Sequence, residues 1–202
     1  MSGKGRTRIR RTQGERSAET VGRLMATARE LFASRGFAGT SLDDILEAVS
    51  GSRGALYHHF DSKKDLFRAV FEEQERLLTD VIVAAARRER SAWAAFMAGC
   101  EAFLAACTDP AVQQIILLDA PAVLGWETMR SVESRYVLTM VQEGIAGAIR
   151  EGTLRPRAVE PLAHFILGGL SECAMAIARS GDPASAMRDA RVELRRLLEA
   201  LK

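Results

Sequence analysis

Residues 40–63 read TSLDDILEAVSGSRGALYHHFDSK, and this stretch decides the fold of the N-terminal part of the chain. Ser41, Ser52 and Ser62 each carry a hydroxyl that can cap the first turn of a helix, so they predict three helices in close succession. The first two are short, because a turn at residues 50–51 separates them and the third cap follows soon after. Two short helices joined by a tight turn and braced by a longer helix form a helix-turn-helix.

The second of these short helices has the properties of an element that enters a DNA major groove. Leu56 and Phe60 share one face, which would anchor the helix against the rest of the protein. The side chains left free for phosphates and base edges are Ser52, Arg53, Tyr57 and His58. We therefore expect residues 52–60 to contact DNA.

Beyond this stretch, nearly every segment repeats its apolar residues with the period of an α-helix, and none alternates with the period of a strand. A first helix is predicted between Ser17 and Gly36. The long helix that starts at Ser62 is predicted to bury Leu66, Phe67, Val70, Gln74, Leu77 and Val81. Further helices are predicted at about 91–107, 110–118, 125–150, 159–180 and 183–200. The predicted fold class is all-α.

The chain divides into three predicted parts. Residues 1–16 hold six basic residues against one acid, Glu15, and hardly any apolar ones. Such a segment buries too little surface to order itself, so it predicts a disordered basic arm that suits a polyanion, or else an ordinary solvated tail. Residues 17–62 are predicted to form the helix-turn-helix domain, and residues 63–202 a helical domain for ligand binding and dimerisation.

The composition predicts a cytoplasmic protein that does not span a membrane. The longest apolar stretch, 161–178, contains His164, Ser171 and Glu172, and the N-terminus shows no signal-peptide pattern. Cys100 and Cys107 are spaced too far apart on one helix to form a disulfide. Buried, reduced thiols are therefore expected, with a redox sensor as the alternative.

No pattern of catalytic or metal-binding residues stands out. His58 and His59 lie near Asp61, but adjacent helical residues point in different directions and no third ligand stands at a suitable spacing. The glycines match neither a phosphate-binding loop nor a dinucleotide fingerprint, and no hydrolase serine motif is present. We expect no metal, no cofactor and no catalytic residue.

Two motifs resemble the DNA-binding signature of the TetR (tetracycline repressor-like) family. They are Thr40-Ser41-Leu42-x-x-Ile45 and Ser52-Arg53-Gly54-Ala55-Leu56-Tyr57-His58-His59-Phe60-x-Ser62-Lys63-x-x-Leu66. The resemblance covers about residues 18–70, and beyond it only the helical length and pattern agree. It implies a homodimeric repressor that binds a palindromic operator and is released by a small molecule held in the C-terminal domain.

Residue by residue, the resemblance implies specific DNA contacts. Thr40, Ser41 and Lys63 would bind backbone phosphates, Arg53, Ala55 and Tyr57 would face the groove with Ser52 available beside them, and His58 would lie near a base or phosphate. One position departs from the family pattern. The family usually has Gly-Val in the turn where this chain has Ser50-Gly51, so the apolar side chain that normally fills the core of the motif at this turn is missing.

The last two predicted helices carry apolar stripes that predict a dimer. Two such helices in series form a four-helix bundle with their symmetry mates. The expected interface consists of Leu162, Phe165, Ile166, Gly169, Cys173, Ala176, Ile177, Met187, Ala190, Leu194, Leu197, Leu198 and Leu201.

The interior of the C-terminal part is rich in aromatic residues and methionine, which suits a hydrophobic or amphipathic effector. Candidate lining residues are Trp93, Phe96, Met97, Cys100, Phe103, Trp126, Met129, Tyr136, Met140 and His164. The same residues could equally form a plain core, and His164 and Glu172, two polar groups on an otherwise apolar helix, could each be held by a structural hydrogen bond. Residues 119–126 could form a ligand entrance.

Three functions therefore compete. The first is a ligand-gated repressor that binds double-stranded operator DNA, a second copy of itself and a small-molecule effector. The second is a helical protein that binds DNA without a ligand. The third is a helical-bundle enzyme, for which the sequence offers few titratable groups apart from His164, Glu172, Glu101 and Asp119.

Overall fold

A computed structural model describes residues 13–202, and within that range it contains helices and no strand. The N-terminal helices are α1 (Gln13–Arg35), α2 (Leu42–Ala48) and α3 (Arg53–Tyr57), and α4 (Lys63–Ala86) leads into the rest of the chain. After α5 (Ala92–Ala106), a π-helical segment (Val112–Asp119) runs directly into α6 (Ala120–Leu124). The remaining helices are α7 (Trp126–Glu133), α8 (Val137–Arg150), α9 (Val159–Ala178) and α10 (Pro183–Glu199). The all-α prediction is confirmed.

The predicted N-caps explain where the N-terminal helices begin. The hydroxyl of Ser41 accepts a hydrogen bond from the Asp44 amide, and the Asp44 carboxylate accepts one from the Ser41 amide, which completes a capping box. Ser52 and Ser62 cap α3 and α4 in the predicted way. The exception is α1, which begins at Gln13 rather than after Ser17, so most of the predicted basic arm lies outside the described residues.

The turn between α2 and α3 is built around Ser50, whose φ of 49° lies in the left-handed region. The amides of Ser50 and Gly51 donate to the carbonyls of Glu47 and Leu46, which closes the end of α2. Val49 is buried here and fills much of the space at the turn, since a Cβ on Gly51 would lie 2.9 Å from its Cγ2. Val49 therefore replaces the apolar turn side chain that the sequence lacks.

Replacing Ser50 with glycine is expected to raise the unfolding free energy by about 0.5–1 kcal/mol. Left-handed backbone costs an ordinary residue about 1–2 kcal/mol, and the extra chain entropy of glycine offsets only part of that gain. Urea unfolding measures the difference. The matched control is Ser134→Gly, because Ser134 has a helical φ of −62° and should lose stability. A less stable Ser50→Gly variant would contradict the assignment of strain.

The buried face of α4 differs from the prediction in its second half. Leu77 and Val81 are 39% and 50% exposed, whereas Glu75, Leu78 and Ile82 are buried. The prediction followed the apolar residues and passed over an acid, but the packing of α4 against α5 and the π-helical segment turns Glu75 inward.

Two other predicted helices also differ from the structure. The predicted helix at 125–150 is broken, because the backbone at Tyr136 leaves the helical region (φ −121°, ψ −101°) and separates α7 from α8. The predicted helix at 110–118 is largely π-helical. This form is rare in proteins overall, but where it does occur it is often at a functional site.

The C-terminal helices pack closely where glycine faces a neighbouring helix. A Cβ on Gly144 would lie 2.5 Å from Cδ2 of Phe96, and one on Gly147 would lie 3.0 Å from Cβ of Ala92. These glycines therefore let α8 approach α5. α9 is long and apolar enough to cross a membrane by length and composition alone, but it packs against α5, α8 and α10. His164 and Glu172 are exposed on α9, so the expectation that these polar groups are buried and need structural hydrogen bonds is wrong.

Candidate DNA interface and ligand cavity

Helix α3 presents one anchored face and one free face. Leu56 and Phe60 are buried in the core, and the Ser52 hydroxyl accepts a hydrogen bond from the Ala55 amide at 3.2 Å. Arg53, Tyr57 and His58 are exposed on the outer side, as expected for side chains that reach a groove. The structure therefore brings together the groove-facing residues that the sequence singled out.

Arg53 is not free in the absence of DNA. Its Nη2 atom lies 2.7 Å from each carboxylate oxygen of Asp43 on α2. Sequence reasoning missed this partner, because the two residues lie ten positions apart on different helices.

Thr40 and Ser41 have different surroundings. The Thr40 side chain is 1% exposed, and its hydroxyl donates to the carbonyls of Leu31 and Gly36 at 3.2 and 2.9 Å. This hydroxyl ties α1 to the start of α2 and does not point to a phosphate, which corrects the implied role. Ser41 is exposed at the N-terminus of α2, where the helix dipole favours an anion.

Lys63 also has a structural role in this conformation. Its ammonium group donates to the carbonyls of Phe37 and Thr40, each at 2.9 Å, and lies 4.1 Å from the centre of the Phe37 ring. These contacts fix the start of α4 against the α1–α2 loop and use donors that were expected to hold a phosphate. The neighbouring Lys64 is exposed, and sequence reasoning did not single it out.

The two adjacent histidines serve different surfaces. His59 is half-buried, and its Nε2 lies 3.2 Å from the hydroxyl of Ser17 on α1. His58 is exposed, and the two rings meet edge to face at 4.8 Å. Within residues 13–202, no group of three or more His, Cys, Asp or Glu side chains could hold a metal ion.

A cavity of about 340 Å³ lies between the C-terminal half of α4, α5 and α8. Its walls are apolar and include Ile82, Phe96, Cys100, Phe103, Met140 and Leu170. The charged residues of the lining are Glu143 and Arg150, both exposed on α8. A cavity of this size and lining suits a small apolar molecule whose polar end remains near solvent.

Four of the predicted lining residues, Phe96, Cys100, Phe103 and Met140, do line this cavity. The other six, Trp93, Met97, Trp126, Met129, Tyr136 and His164, do not. Trp93 packs toward α10 and donates to the Glu199 carboxylate at 3.0 Å. Trp126 is 64% exposed beneath the guanidinium of Arg130, so residues 119–126 do not form an entrance to this cavity.

A second recess, of about 270 Å³, is an open groove along α9 and α10. Ten of the residues predicted for the dimer interface line it, namely Leu162, Phe165, Ile166, Gly169, Cys173, Ala190, Leu194, Leu197, Leu198 and Leu201. Phe165 and Leu197 are 80% and 68% exposed, so a single chain leaves this surface largely uncovered. Leu198 lines the groove but is itself buried in the core of its own chain, as is Ile177, and neither Ala176 nor Met187 lines the groove.

Sequence reasoning also missed a buried acid. Glu75 is 2% exposed, and its Oε2 has no hydrogen-bond partner within residues 13–202. Burial, together with the nearby carboxylate of Glu133, raises the pKa of Glu75 to about 8. The only signal in the sequence was an acid at a helical position flanked by buried residues.

The cysteines divide into two kinds. Cys100 and Cys107 are buried, and burial raises the pKa of each thiol to about 12. Both are therefore protonated and weakly reactive at neutral pH, which disfavours the redox-sensor alternative for them. Cys173 is exposed in the groove of α9 and α10, contrary to the expectation of buried thiols.

The N-terminal helices are joined to the rest of the chain by contacts beside the π-helical segment. The Asp119 carboxylate accepts a hydrogen bond of 2.7 Å from the Phe37 amide. Gln74 on α4 accepts one of 3.1 Å from Arg29 on α1. Phe37 and Phe67 meet edge to face with ring centres 5.2 Å apart, so the start of α4 shares the core of the N-terminal helices.

Comparison with known proteins places both halves of the chain in one family. The model for bacterial regulatory proteins of the tetR family matches residues 24–70, and that for the tetracyclin repressor-like C-terminal domain matches residues 93–201. The chain belongs to the TetR family of transcriptional regulators. It is a DNA-binding regulator rather than an enzyme, and the exposed face of α3 lies within the matched N-terminal region.

Individual proteins and solved structures are similar to this chain over most of its length. A crystal structure of a TetR-family regulator from Pectobacterium atrosepticum is 36% identical, with a TM-score of 0.78 over 95% of this chain and 97% of that one. The transposon Tn10 TetC protein of Escherichia coli is 25% identical over 77% of this chain and 79% of its own length. The regulator FadR of Bacillus subtilis, solved in complex with stearoyl-CoA, shares the fold at 13% identity, with a TM-score of 0.75 over 90% of this chain and 98% of that one.

Proposed function

We propose that this TetR-family regulator is a homodimeric repressor that reads a palindromic operator through α3 and is released when a small, largely apolar ligand fills the cavity of each subunit. The proposal that the protein reads DNA rests on helix α3, which is anchored on one face and exposes Arg53, Tyr57 and His58 together on the other. The apolar cavity beside α4 carries the ligand part.

The proposed DNA contacts follow from exposure and position. Arg53 and Tyr57 reach base edges, Ser41 and Lys64 bind phosphates at the starts of α2 and α4, and His58 lies at the edge of the groove. Residues 1–12, which contain five basic residues and no acid, add phosphate contacts that do not depend on sequence. We propose residues 17–62 as the DNA-binding domain, braced by the first turns of α4.

Replacing Arg53 with alanine is expected to lower operator affinity by about 1–3 kcal/mol while changing affinity for random DNA much less. The reason is that a base contact is made only on the matching sequence. Fluorescence anisotropy with operator and random duplexes measures both. Equal losses on the two duplexes would show that Arg53 contacts phosphate instead.

Deleting residues 1–12 is expected to weaken binding to both duplexes and to flatten the dependence of affinity on salt. Each phosphate contact that is lost removes about one released counterion from the slope of log affinity against log salt concentration. An unchanged slope would show that these residues make no contact with DNA.

The dimer is supported by the groove along α9 and α10. An apolar surface that includes Phe165 and Leu197 in so exposed a position marks an interaction site rather than ordinary protein surface. Because α10 packs mainly against α9 and α5, and α9 against α5, α8 and the π-helical segment, two copies can pair through these helices and leave each α3 free to enter DNA.

The ligand part is supported by the position of α4. This helix begins at Lys63 beside the DNA-binding helices, and Ile82 in its last part lines the cavity. A ligand that fits only one placement of α4 shifts the protein toward that placement, and couplings of this kind are typically about 1–3 kcal/mol. The hydrogen bond from Phe37 to Asp119 provides a second link between the two parts.

The test is to screen apolar and amphipathic compounds for binding to the wild-type protein and for release of operator DNA. A coupling of about 1–3 kcal/mol corresponds to a loss of operator affinity of roughly 5- to 150-fold. Phe103→Ala should alter ligand affinity because Phe103 lines the cavity. Trp126→Ala is the control, because this exposed side chain lies outside the cavity and should leave ligand affinity unchanged. Compounds that bind tightly without releasing DNA would favour the ligand-independent alternative.

A further inference from the structure

An acidic residue lies on the surface that this regulator is proposed to present to DNA. Asp43 is exposed on α2, and together with Ser41, Arg53 and Tyr57 it lines a recess of about 330 Å³. A carboxylate at this position would repel the phosphate backbone of any duplex that approaches α3. A contribution to folding stability does not explain why an acid stands here. The side chains of Asp43 and Arg53 are each about two-thirds exposed, and exposed ion pairs contribute little to stability.

The geometry of the pair leaves part of the guanidinium free. Both oxygens of Asp43 accept from Nη2 of Arg53, each at 2.7 Å. A guanidinium has five N–H donors, so those on Nη1 and Nε remain for another acceptor. Arg53 can therefore keep its partner while it donates a single hydrogen bond, through Nη1 or Nε, to an acceptor on a base edge such as guanine O6 or N7.

We propose that Asp43 is a specificity-determining residue that holds Arg53 toward the base edges and penalises binding to DNA of the wrong sequence. On the operator, Arg53 bridges the base and Asp43, so the carboxylate stays neutralised. On other DNA, Arg53 either leaves Asp43 for a phosphate, which exposes the carboxylate to the backbone, or stays and makes no contact. This proposal rests on the proposed reading of DNA by Arg53.

The first experiment compares Asp43→Asn with the wild-type protein on operator and random duplexes at several salt concentrations. Random-sequence affinity is expected to rise about threefold to tenfold, because one repulsive charge near the phosphates is removed. Operator affinity should stay the same or fall, so discrimination between the two duplexes should drop about threefold or more. Glu47→Gln is the matched control, since Glu47 is also an exposed acid on α2 but is not among the residues that line the recess.

The second experiment places Asp43→Asn in the Arg53→Ala background. If Asp43 acts through Arg53, the added substitution should no longer change discrimination between operator and random DNA. Operators with single-base changes should also show that Asp43→Asn alone and Arg53→Ala alone lower the base preference at the same operator position. Circular dichroism checks that both variants remain folded.

Three outcomes would overturn the proposal. Equal gains on both duplexes, matched by Glu47→Gln, would mean that Asp43 contributes only net charge. If Asp43→Asn still changes discrimination in the Arg53→Ala background, Asp43 contacts DNA by itself, for example by accepting a hydrogen bond from a cytosine amino group. Unchanged discrimination in the Asp43→Asn variant would show that Asp43 does not determine specificity.

Failure of the proposed function would give a different result. In that case the wild-type protein would not discriminate between the two duplexes, or Arg53→Ala would not reduce discrimination.

Discussion

A double substitution of Phe165 and Leu197 by glutamate is expected to give a folded monomer whose operator affinity is lower by about 100-fold or more. Both side chains are largely exposed in the groove of α9 and α10, so glutamate is tolerated in the single chain. In a dimer, however, the same positions would bury four uncompensated carboxylates, which strongly opposes association. A monomer reaches only one half-site and loses the gain in effective concentration that links the two binding events.

Sedimentation velocity measures the oligomeric state, and anisotropy with a palindromic duplex measures the affinity. Val192→Glu is the matched control, because Val192 is an exposed apolar residue of α10 that does not line the groove. It should leave both the dimer and the affinity unchanged. A double variant that remains dimeric would show that the interface lies elsewhere, and a monomer that binds with full affinity would show that pairing is not needed to read the operator.

The unfolding free energy of this regulator is expected to fall as pH rises from about 5 to 8, and Glu75→Gln is expected to remove most of that dependence. Burial raises the pKa of Glu75 from 4.5 to about 8, so between these values the folded chain holds a proton that the unfolded chain has released. The stabilisation is complete below the unfolded value and is lost as pH rises toward the folded value. The slope for one such group is about 1.4 kcal/mol for each pH unit within this range, which gives a total of a few kcal/mol.

Urea unfolding at several pH values and one fixed protein concentration measures this dependence. Glu133 contributes in the same direction, because burial raises its pKa as well, although Arg130 opposes the effect. Glu73→Gln is the control on the same helix. An ion pair with Arg76 lowers the pKa of Glu73, so this variant should retain the wild-type loss of stability between pH 5 and 8. If Glu75→Gln keeps the full pH dependence, Glu75 is ionised in the folded state and its surroundings are more polar than the structure indicates.

Elements that depend on neighbouring residues could be predicted from the sequence. The caps at Ser41, Ser52 and Ser62 are confirmed, because a cap is formed by atoms three residues apart. The turn at Ser50 was recognised as a departure from the family pattern, but the side chain that compensates for it, Val49, was found only in the structure. Compensation depends on which residue the packed helices turn inward, and periodicity alone does not fix that.

Several of the predicted site residues make contacts that differ from the predicted ones. The family resemblance implied that Lys63 and Thr40 bind DNA phosphates, yet their polar atoms bind backbone carbonyls of the α1–α2 loop. It also placed Trp126 in the ligand pocket because of its residue type, whereas the break before α8 leaves that side chain outside. In each case the deciding contact is made by residues that are distant in sequence.

The sequence by itself therefore determined the all-α fold, the helix-turn-helix at 40–63 and its exposed face, since local hydrogen bonds and helical period suffice for these. Only the tertiary structure decided the residues that line the cavity, the buried state of Glu75 and the pairing of Asp43 with Arg53. The physical reason is that these features depend on the rotation and spacing of helices against one another. The rotation and spacing of the helices are set by side-chain packing over the whole core. They therefore cannot be predicted from any single segment of the sequence.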